Sequence, residues 1–343
     1  MASATFRPSF DIGGRLVGPG SPVFVIAEAG LSHFGDMALA EQLVDLAAEG
    51  GADAFKTQFF DVEALIARRG TEWRERLRPR NLTFDQATAV KARCDRRGLA
   101  FIATAHDATR VDWLDGLDVA ASKIGSGERN NPAFVQRLAS LGRPVILSTG
   151  MYREADVREA LEACAAAGNE TVALLHCVTS YPVPSSEVNL AATDRLRALF
   201  DGPVGYSDHT IDNLAVLAAV ARGASIVEKH ITVLRDVPSA QDWKVSADAD
   251  GFKHLVADIR RTEAMIGSGL KEPAPCERSG EQWALKSLVV KGELPVGHVL
   301  TAGDLDAKRP GDGLRPNLLA DIVGRRLRRA LAADDPLTLE DLE

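Results

Sequence analysis

Eight short apolar runs recur along this chain of 343 residues, with stretches of helical apolar spacing between them. The runs lie at 24–27, 54–57, 100–103, 121–124, 145–148, 172–175, 203–206 and 225–228. Between them, segments such as 37–49 and 153–167 place apolar residues three and four apart. Strands separated by helices must run parallel, because each crossover returns the chain to the same edge. Eight such units predict an α/β fold, a closed (β/α)8 TIM barrel. An open doubly wound sheet is the other arrangement, but no Gly-x-Gly-x-x-Gly follows the first strand.

The alternation stops after the eighth unit. Residues 1–266 form the predicted barrel, and 267–280, rich in Gly, Pro and charge, read as a linker. Residues 281–343 read as a small β-rich domain, with strand-like runs at 287–290, 299–300 and 327–331 between Gly-Glu, Gly-His and Pro-Gly-Asp-Gly turns. It is too small to hold a large active site alone. A formal charge of -8 argues against a nucleic-acid or anionic-membrane partner. The one basic run, Arg325-Arg326-Leu327-Arg328-Arg329, reads as a solvated face. Cys94, Cys164, Cys177 and Cys276 show no paired spacing and read as reduced thiols. The first twenty residues lack an apolar core and no run is long enough to span a bilayer, so the expected setting is cytoplasmic.

Barrel enzymes assemble their sites where the strands end at the C-terminal rim. There the chain supplies Glu28; Lys56 and Gln58; Thr104; Lys123, Ser126 and Glu128; Ser148 and Thr149; Thr179, Ser180 and Tyr181; Ser207, Asp208 and His209; and Glu228, Lys229 and His230. A packed core would not require this polarity. Two lysines with several hydroxyls suit a phosphate and a carboxylate, and Gly125 and Gly127 let backbone amides approach the same anion. His209 and His230, twenty-one residues apart, reach one rim if their strands are neighbours, and a divalent metal can bridge them. Asp208 reads either as a further ligand or as the carboxylate orienting His209. His176, inside an apolar run, reads as a satisfied core histidine, and Trp243 and Trp283 read as packing residues.

The motifs extend the argument. Segments 26–35 (IAEAGLSHFG), 51–58 (GADAFKTQ), 123–128 (KIGSGE), 146–151 (ILSTGM), 175–177 (LHC), 207–210 (SDHT) and 228–230 (EKH) stand in the order found in one family. The chain resembles the N-acetylneuraminate (sialic acid) synthases, which condense phosphoenolpyruvate with an N-acylated sugar aldehyde. Segments 286–289 (KSLV) and 308–311 (KRPG) resemble that family's antifreeze-protein-like (SAF, β-clip) domain.

The resemblance implies a metal-dependent transferase that forms a C–C bond and releases phosphate by C–O cleavage. It assigns phosphoenolpyruvate to Lys56, Thr104, Lys123, Ser126, Ser148, Thr179 and Ser207, and Mn2+ or Mg2+ to His209 and His230. It makes Glu28 the acid/base beside Lys56 and Lys123, and turns Gln58, Glu128, Tyr181, Asp242 and Arg309 toward the sugar. It also implies a domain-swapped homodimer in which Arg309 reaches the partner's site. The acceptor so implied is N-acetylmannosamine or a diacetamido-trideoxyhexose, the product a sialic, legionaminic or pseudaminic acid. Departures fall on the acceptor side. Ser32 replaces Asn, Ala105 replaces Pro, and 239–242 reads SAQD before Trp243, against which an extra methyl or acetamido group could rest. Segment 61–81 carries Arg68, Arg69, Arg74 and Arg76, which leaves open a phosphorylated aldehyde. A synthase of the same family acting on a different aldehyde, a metal-dependent barrel aldolase, a barrel aldolase working through a lysine Schiff base, and a non-catalytic relative are the remaining alternatives.

Overall fold

The structure, a computed structural model, describes residues 5–237 and 240–343. Ser239 therefore lies outside the described residues. Eight strands, β3 (Phe24–Gly30), β4 (Ala54–Phe59), β5 (Ala100–Ala105), β6 (Ala121–Ile124), β7 (Val145–Ser148), β8 (Val172–His176), β9 (Val204–Asp208) and β10 (Ile226–His230), form the sheet. They close into one parallel barrel in the order β10-β3-β4-β5-β6-β7-β8-β9. A hairpin of β1 (Phe10–Ile12) and β2 (Arg15–Val17) precedes them.

Strand periodicity sorts the side chains. Val25, Ala27, Phe55, Phe101, Ala103, Val145, Leu147, Val172, Leu174 and Val227 belong to the large core that includes the outer helices. The alternate residues Phe24, Ile26, Ala54, Ile102, Ala121, Ile146, Ala173, Leu175 and Ile226 form a second cluster that fills the barrel, closed by Phe10, Ile12 and Val17 of the hairpin. One step further along the same inward rows stand Glu28, Lys56, Thr104, Lys123, Ser148, Ser207 and Glu228, all buried. The apolar interior thus ends in a charged floor.

The opposite mouth is locked by Asp53. Its carboxylate accepts from Val25 N at 2.7 Å and pairs with Arg15 at 2.8 Å and Arg260 at 3.2 Å, tying the hairpin, β3 and the final barrel helix Ala249–Ile266 together. After β4 the chain forms α2 (Val62–Leu65) and α3 (Thr71–Leu77) after α1 (Met37–Glu49), so segment 61–81 is largely helical. Among the described residues no helix is long and apolar enough to cross a membrane.

The chain divides into two compact units, Met1–Gly267 and Ser268–Glu343. In the second, β11 (Ser287–Val290) pairs antiparallel with β12 (Leu305–Lys308) over a core that includes Leu288, Val290, Leu300, Leu327, Leu337 and Leu342. The predicted runs at 299–300 and 327–331 take part only through isolated bridges at Val299, Leu327 and Leu331. Within the basic run, Arg326, Arg328 and Arg329 are exposed, as a solvated face requires, while Arg325 donates to Glu343 O at 2.8 Å and Arg329 also pairs with Asp341 at 2.5 Å.

Candidate active site

Above the charged floor lies a cavity of about 340 Å3. Glu28, Lys56, Gln58, Thr104, Lys123, Ser126, Ser148, Thr179, Tyr181, Ser207, His209, His230 and Asp242 all line it. Of the residues that the resemblance assigns to substrate or metal, Glu128 and Arg309 do not; of the other rim residues, Thr149, Ser180, Asp208 and Lys229 also stand outside the lining. Glu128 accepts from Asn131 Nδ2 at 2.8 Å outside the lining, and burial pushes its carboxyl up. Arg309 is exposed on the second unit, its guanidinium 5.5 Å from the centre of the Trp283 ring.

Two lysines and two carboxylates interlock on the floor. Lys56 Nζ lies 2.9 Å from Glu28 Oε2 and 3.6 Å from Glu228 Oε2, and Lys123 Nζ lies 3.7 Å from Glu228 Oε1. Burial works against the Lys56 ammonium, but Glu228 and Glu28 outweigh it and its pKa rises. Lys123 goes the other way: burial dominates, Glu228 offsets only part, and the pKa falls. Glu228 is also buried, yet the two lysines hold its carboxyl below the usual range. Lys123 donates to Ser148 Oγ at 2.7 Å, and Ser207 donates to Glu228 at 3.0 Å.

Beside these lies a hydroxyl pocket. Ser126 Oγ accepts from Gly150 N at 2.9 Å and sits 3.2 Å from Cys177 Sγ. Gly150 keeps this pocket open: a Cβ would stand 2.4 Å from Thr179 Oγ1 and 2.8 Å from Ser126 Oγ, and those hydroxyls would have to move. Gly30 follows a bulge in β3, where Glu28 pairs with Lys56 but Gly30 with Thr57. Its φ of 54° turns the chain where Glu28, Gln58 and Asp242 converge, each 3.5 Å from where a Cβ would be.

The imidazoles of His209 and His230 are neighbours, ring centres 5.5 Å apart, with the Tyr181 ring 4.1 Å from His209. Burial, with His230 adding to it, pushes His209 down to about 4, so the ring is neutral. Its Nδ1 lies 2.7 Å from Val178 O; the Nδ1–H donates there and Nε2 keeps its lone pair. His230 Nδ1 is buried without a hydrogen-bond partner. These features fit a pair of metal ligands. No group of three or more potential ligands occurs among the described residues, so other ligands to a cation here would come from substrate and water.

Asp208 does not orient His209. Its carboxylate takes Lys229 Nζ at 2.5 Å, Tyr206 Oη at 3.0 Å and Thr210, and so anchors the loop after β9. His176 is a satisfied core histidine, with Nε2 2.8 Å from Val188 O. Trp243 is absent from the lining; Trp73 is present instead, with Leu31, Phe60, Leu65 and Leu77. His106 and Cys177 also line the cavity, though the sequence assigned them no role there. Glu228, expected at the rim after the eighth strand, lines it too, alternating inward with Ile226 and His230 on β10.

A parallel eight-stranded barrel with ammonium, carboxylate and hydroxyl groups gathered at one mouth is the architecture of the TIM-barrel class, with its polar cavity where barrel enzymes place their sites. A model of the NeuB family matches residues 43–271, and one of the SAF domain matches 286–343. An uncharacterized protein of Methanocaldococcus jannaschii is 38% identical over 96% of this chain and 98% of its own length. N,N'-diacetyllegionaminic acid synthase of Legionella pneumophila is 36% identical over 93% of this chain and 94% of its own. Among solved structures, the N-acetylneuraminic acid (sialic acid) synthetase of Leptospira borgpetersenii aligns with a TM-score of 0.75 at 32% identity, over 81% of this chain and 96% of that one. The chain belongs to the NeuB family of nonulosonic acid synthases and ends in a SAF domain.

Proposed function

We propose that the chain condenses phosphoenolpyruvate with an N-acylated sugar aldehyde and releases inorganic phosphate, as a cytoplasmic synthase. The observation that carries this reading is the charged floor of Lys56 and Lys123 beside the hydroxyls of Thr104, Ser126, Ser148, Thr179 and Ser207 in one cavity. Lysines and hydroxyls of this kind hold the carboxylate and phosphate of the small anion by charge-assisted hydrogen bonds. Charge balance supports a cation as well. Lys56 and Lys123 are offset by Glu28 and Glu228, and Asp242 leaves the lining net negative, so a trianionic substrate needs further positive charge. His209 and His230 would hold a Mn2+ or Mg2+ ion, which would supply that charge and Lewis acidity.

The chain's residues do the rest. Lys56 and Lys123 fix the enol so that C3 meets the aldehyde carbon, forming the C–C bond as positive charge develops at C2. Glu28, 2.9 Å from Lys56, takes a proton from the water that adds at C2 and returns it to the alkoxide formed from the aldehyde oxygen. The tetrahedral carbon then expels phosphate by C–O cleavage; its hydroxyl proton leaves with the phosphate as the C2 carbonyl forms, and the same lysines and hydroxyls hold the phosphate oxygens.

The acceptor end narrows the sugar. Leu31, Phe60, Leu65, Trp73 and Leu77 form an apolar wall, with Arg76 over the Trp73 ring and the buried Arg80 in electrostatic contact with Asp242. The methyl group of a diacetamido-trideoxyhexose suits this wall. Following the family resemblance, the exposed Arg309 is assigned to a partner copy's acceptor site, making the working unit a domain-swapped dimer. Phosphate release from phosphoenolpyruvate with Mn2+ is the test, with diacetamido-trideoxyhexose, N-acetylmannosamine and its 6-phosphate as acceptors. Release with the deoxy sugar, abolished by EDTA, is the expected result; release with none overturns the function. The lowered pKa of Lys123 favours one rival, a Schiff-base aldolase, which borohydride with pyruvate would trap as a covalent adduct.

A further inference from the structure

One cavity group is used by nothing proposed so far. His106 follows β5, and its backbone is held on both sides: His106 N donates to Phe59 O at 2.9 Å, while Asp107 accepts from Asp61 N at 2.6 Å and Thr109 N at 2.8 Å. Its Nε2 lies 3.1 Å from Gln58 Oε1, and Gln58 Nε2 donates to Glu28 Oε1 at 2.7 Å.

Hydrogen-bond accounting fixes every member of this chain. The Glu28 carboxylate, in contact with the Lys56 ammonium, can only accept. Gln58 must therefore turn its NH2 toward Glu28 and its oxygen toward His106, and that oxygen requires an N–H. His106 thus carries its proton on Nε2. Burial, with Lys56 and Lys123 adding to it, pushes the ring down to about 4 against a smaller pull from Asp107. The ring is therefore neutral near pH 7 and Nδ1 holds a lone pair. No group among the described residues bonds that nitrogen.

We propose that His106 is a positioning residue: its Nε2–H sets the Gln58 amide and through it Glu28, while its Nδ1 accepts a hydroxyl or amide proton from the sugar. The roles of Glu28 and the sugar rest on the function proposed above; the hydrogen-bond chain does not. The ring therefore couples recognition of the acceptor to the alignment of the group that handles water.

Three substitutions separate the two nitrogens. Gln can place an N–H where Nε2 stands, Asn can place an acceptor where Nδ1 stands, and Phe keeps the ring volume with neither. We expect His106→Phe to lower kcat at least twentyfold and raise the KM for the sugar at least fivefold, leaving the KM for phosphoenolpyruvate within threefold. We expect His106→Gln to restore most of kcat but not the sugar KM, and His106→Asn to do the reverse. Variants that all stay within twofold of the parent in kcat and sugar KM overturn the proposal. So does 15N NMR of the ligand-free parent that finds the ring proton on Nδ1, or the ring protonating near pH 6.5. A parent that spectroscopically carries the Nε2–H but releases no phosphate from any acceptor overturns the function and leaves the hydrogen-bond chain in place.

Discussion

Lys123 stands where burial and function conflict. It is fully enclosed, its pKa is lowered, and Ser148 Oγ and Glu228 are its polar partners. Lys123→Ala removes one ammonium but leaves Glu228 with Lys56, so the fold survives. Turnover should fall on the order of a hundredfold or more. Stopped phosphate release with an unchanged melting curve is the expected outcome; near-normal turnover would remove Lys123 from the reaction. Gly150→Ala is a more local probe. Its methyl group would meet Thr179 Oγ1 and Ser126 Oγ, so the KM for phosphoenolpyruvate should rise about tenfold or more while the sugar KM holds. The inward set Glu28, Lys56, Thr104, Lys123, Ser148, Ser207 and Glu228 was legible because it continues the alternation that buries Ile26, Ile102 and Ile146. His106 was not, because it lies just past β5, where alternation ends and contacts made by Phe59 and Asp107 with the chain decide the direction.

At the scale of elements, segment 61–81 shows charge and apolar surface sharing one helix. Of the four arginines that left a phosphorylated aldehyde open, Arg74 pairs with Glu63 and Arg76 lies over the Trp73 ring, 5.1 Å from its centre, while Trp73 and Leu77, four apart on α3, line the cavity. That i, i+4 pair is visible in the sequence; the side it turns inward depends on how α3 docks. Trp73→Ala should raise the sugar KM roughly tenfold and leave that for phosphoenolpyruvate alone, read by steady-state kinetics with each substrate varied in turn. An unchanged sugar KM would detach α3 from recognition. The hairpin β1–β2 also went unread, although Phe10 and Ile12 alternate ahead of Gly13-Gly14, a recognised hairpin turn pair. Its two strands are only three residues each, and their apolar side chains acquire a purpose only against the barrel interior.

For the whole molecule, buried neutral histidines set a pH limit. His33 is pushed down to about 4 by burial and by Arg80, and His106 is likewise held near 4. Their folded values lie below the unfolded 6.5, so the unfolded chain binds protons first as pH falls. Above 6.5 neither costs stability. Between 6.5 and 4 each removes about 1.4 kcal/mol per pH unit at most. Thermal melts at pH 7, 5.5 and 4.5 should show a falling midpoint, and His106→Gln should make the fall shallower; a flat midpoint contradicts both values. The barrel ring itself closes between β10 and β3, with His230 opposite Glu28 and about two hundred residues of chain between them. A ribosome must therefore finish the eighth strand before the first can find its last neighbour. Until then the sheet has two unpaired edges, and a message cut short of Ile226 makes a chain that lacks both the closing strand and two groups of its cavity, Glu228 and His230.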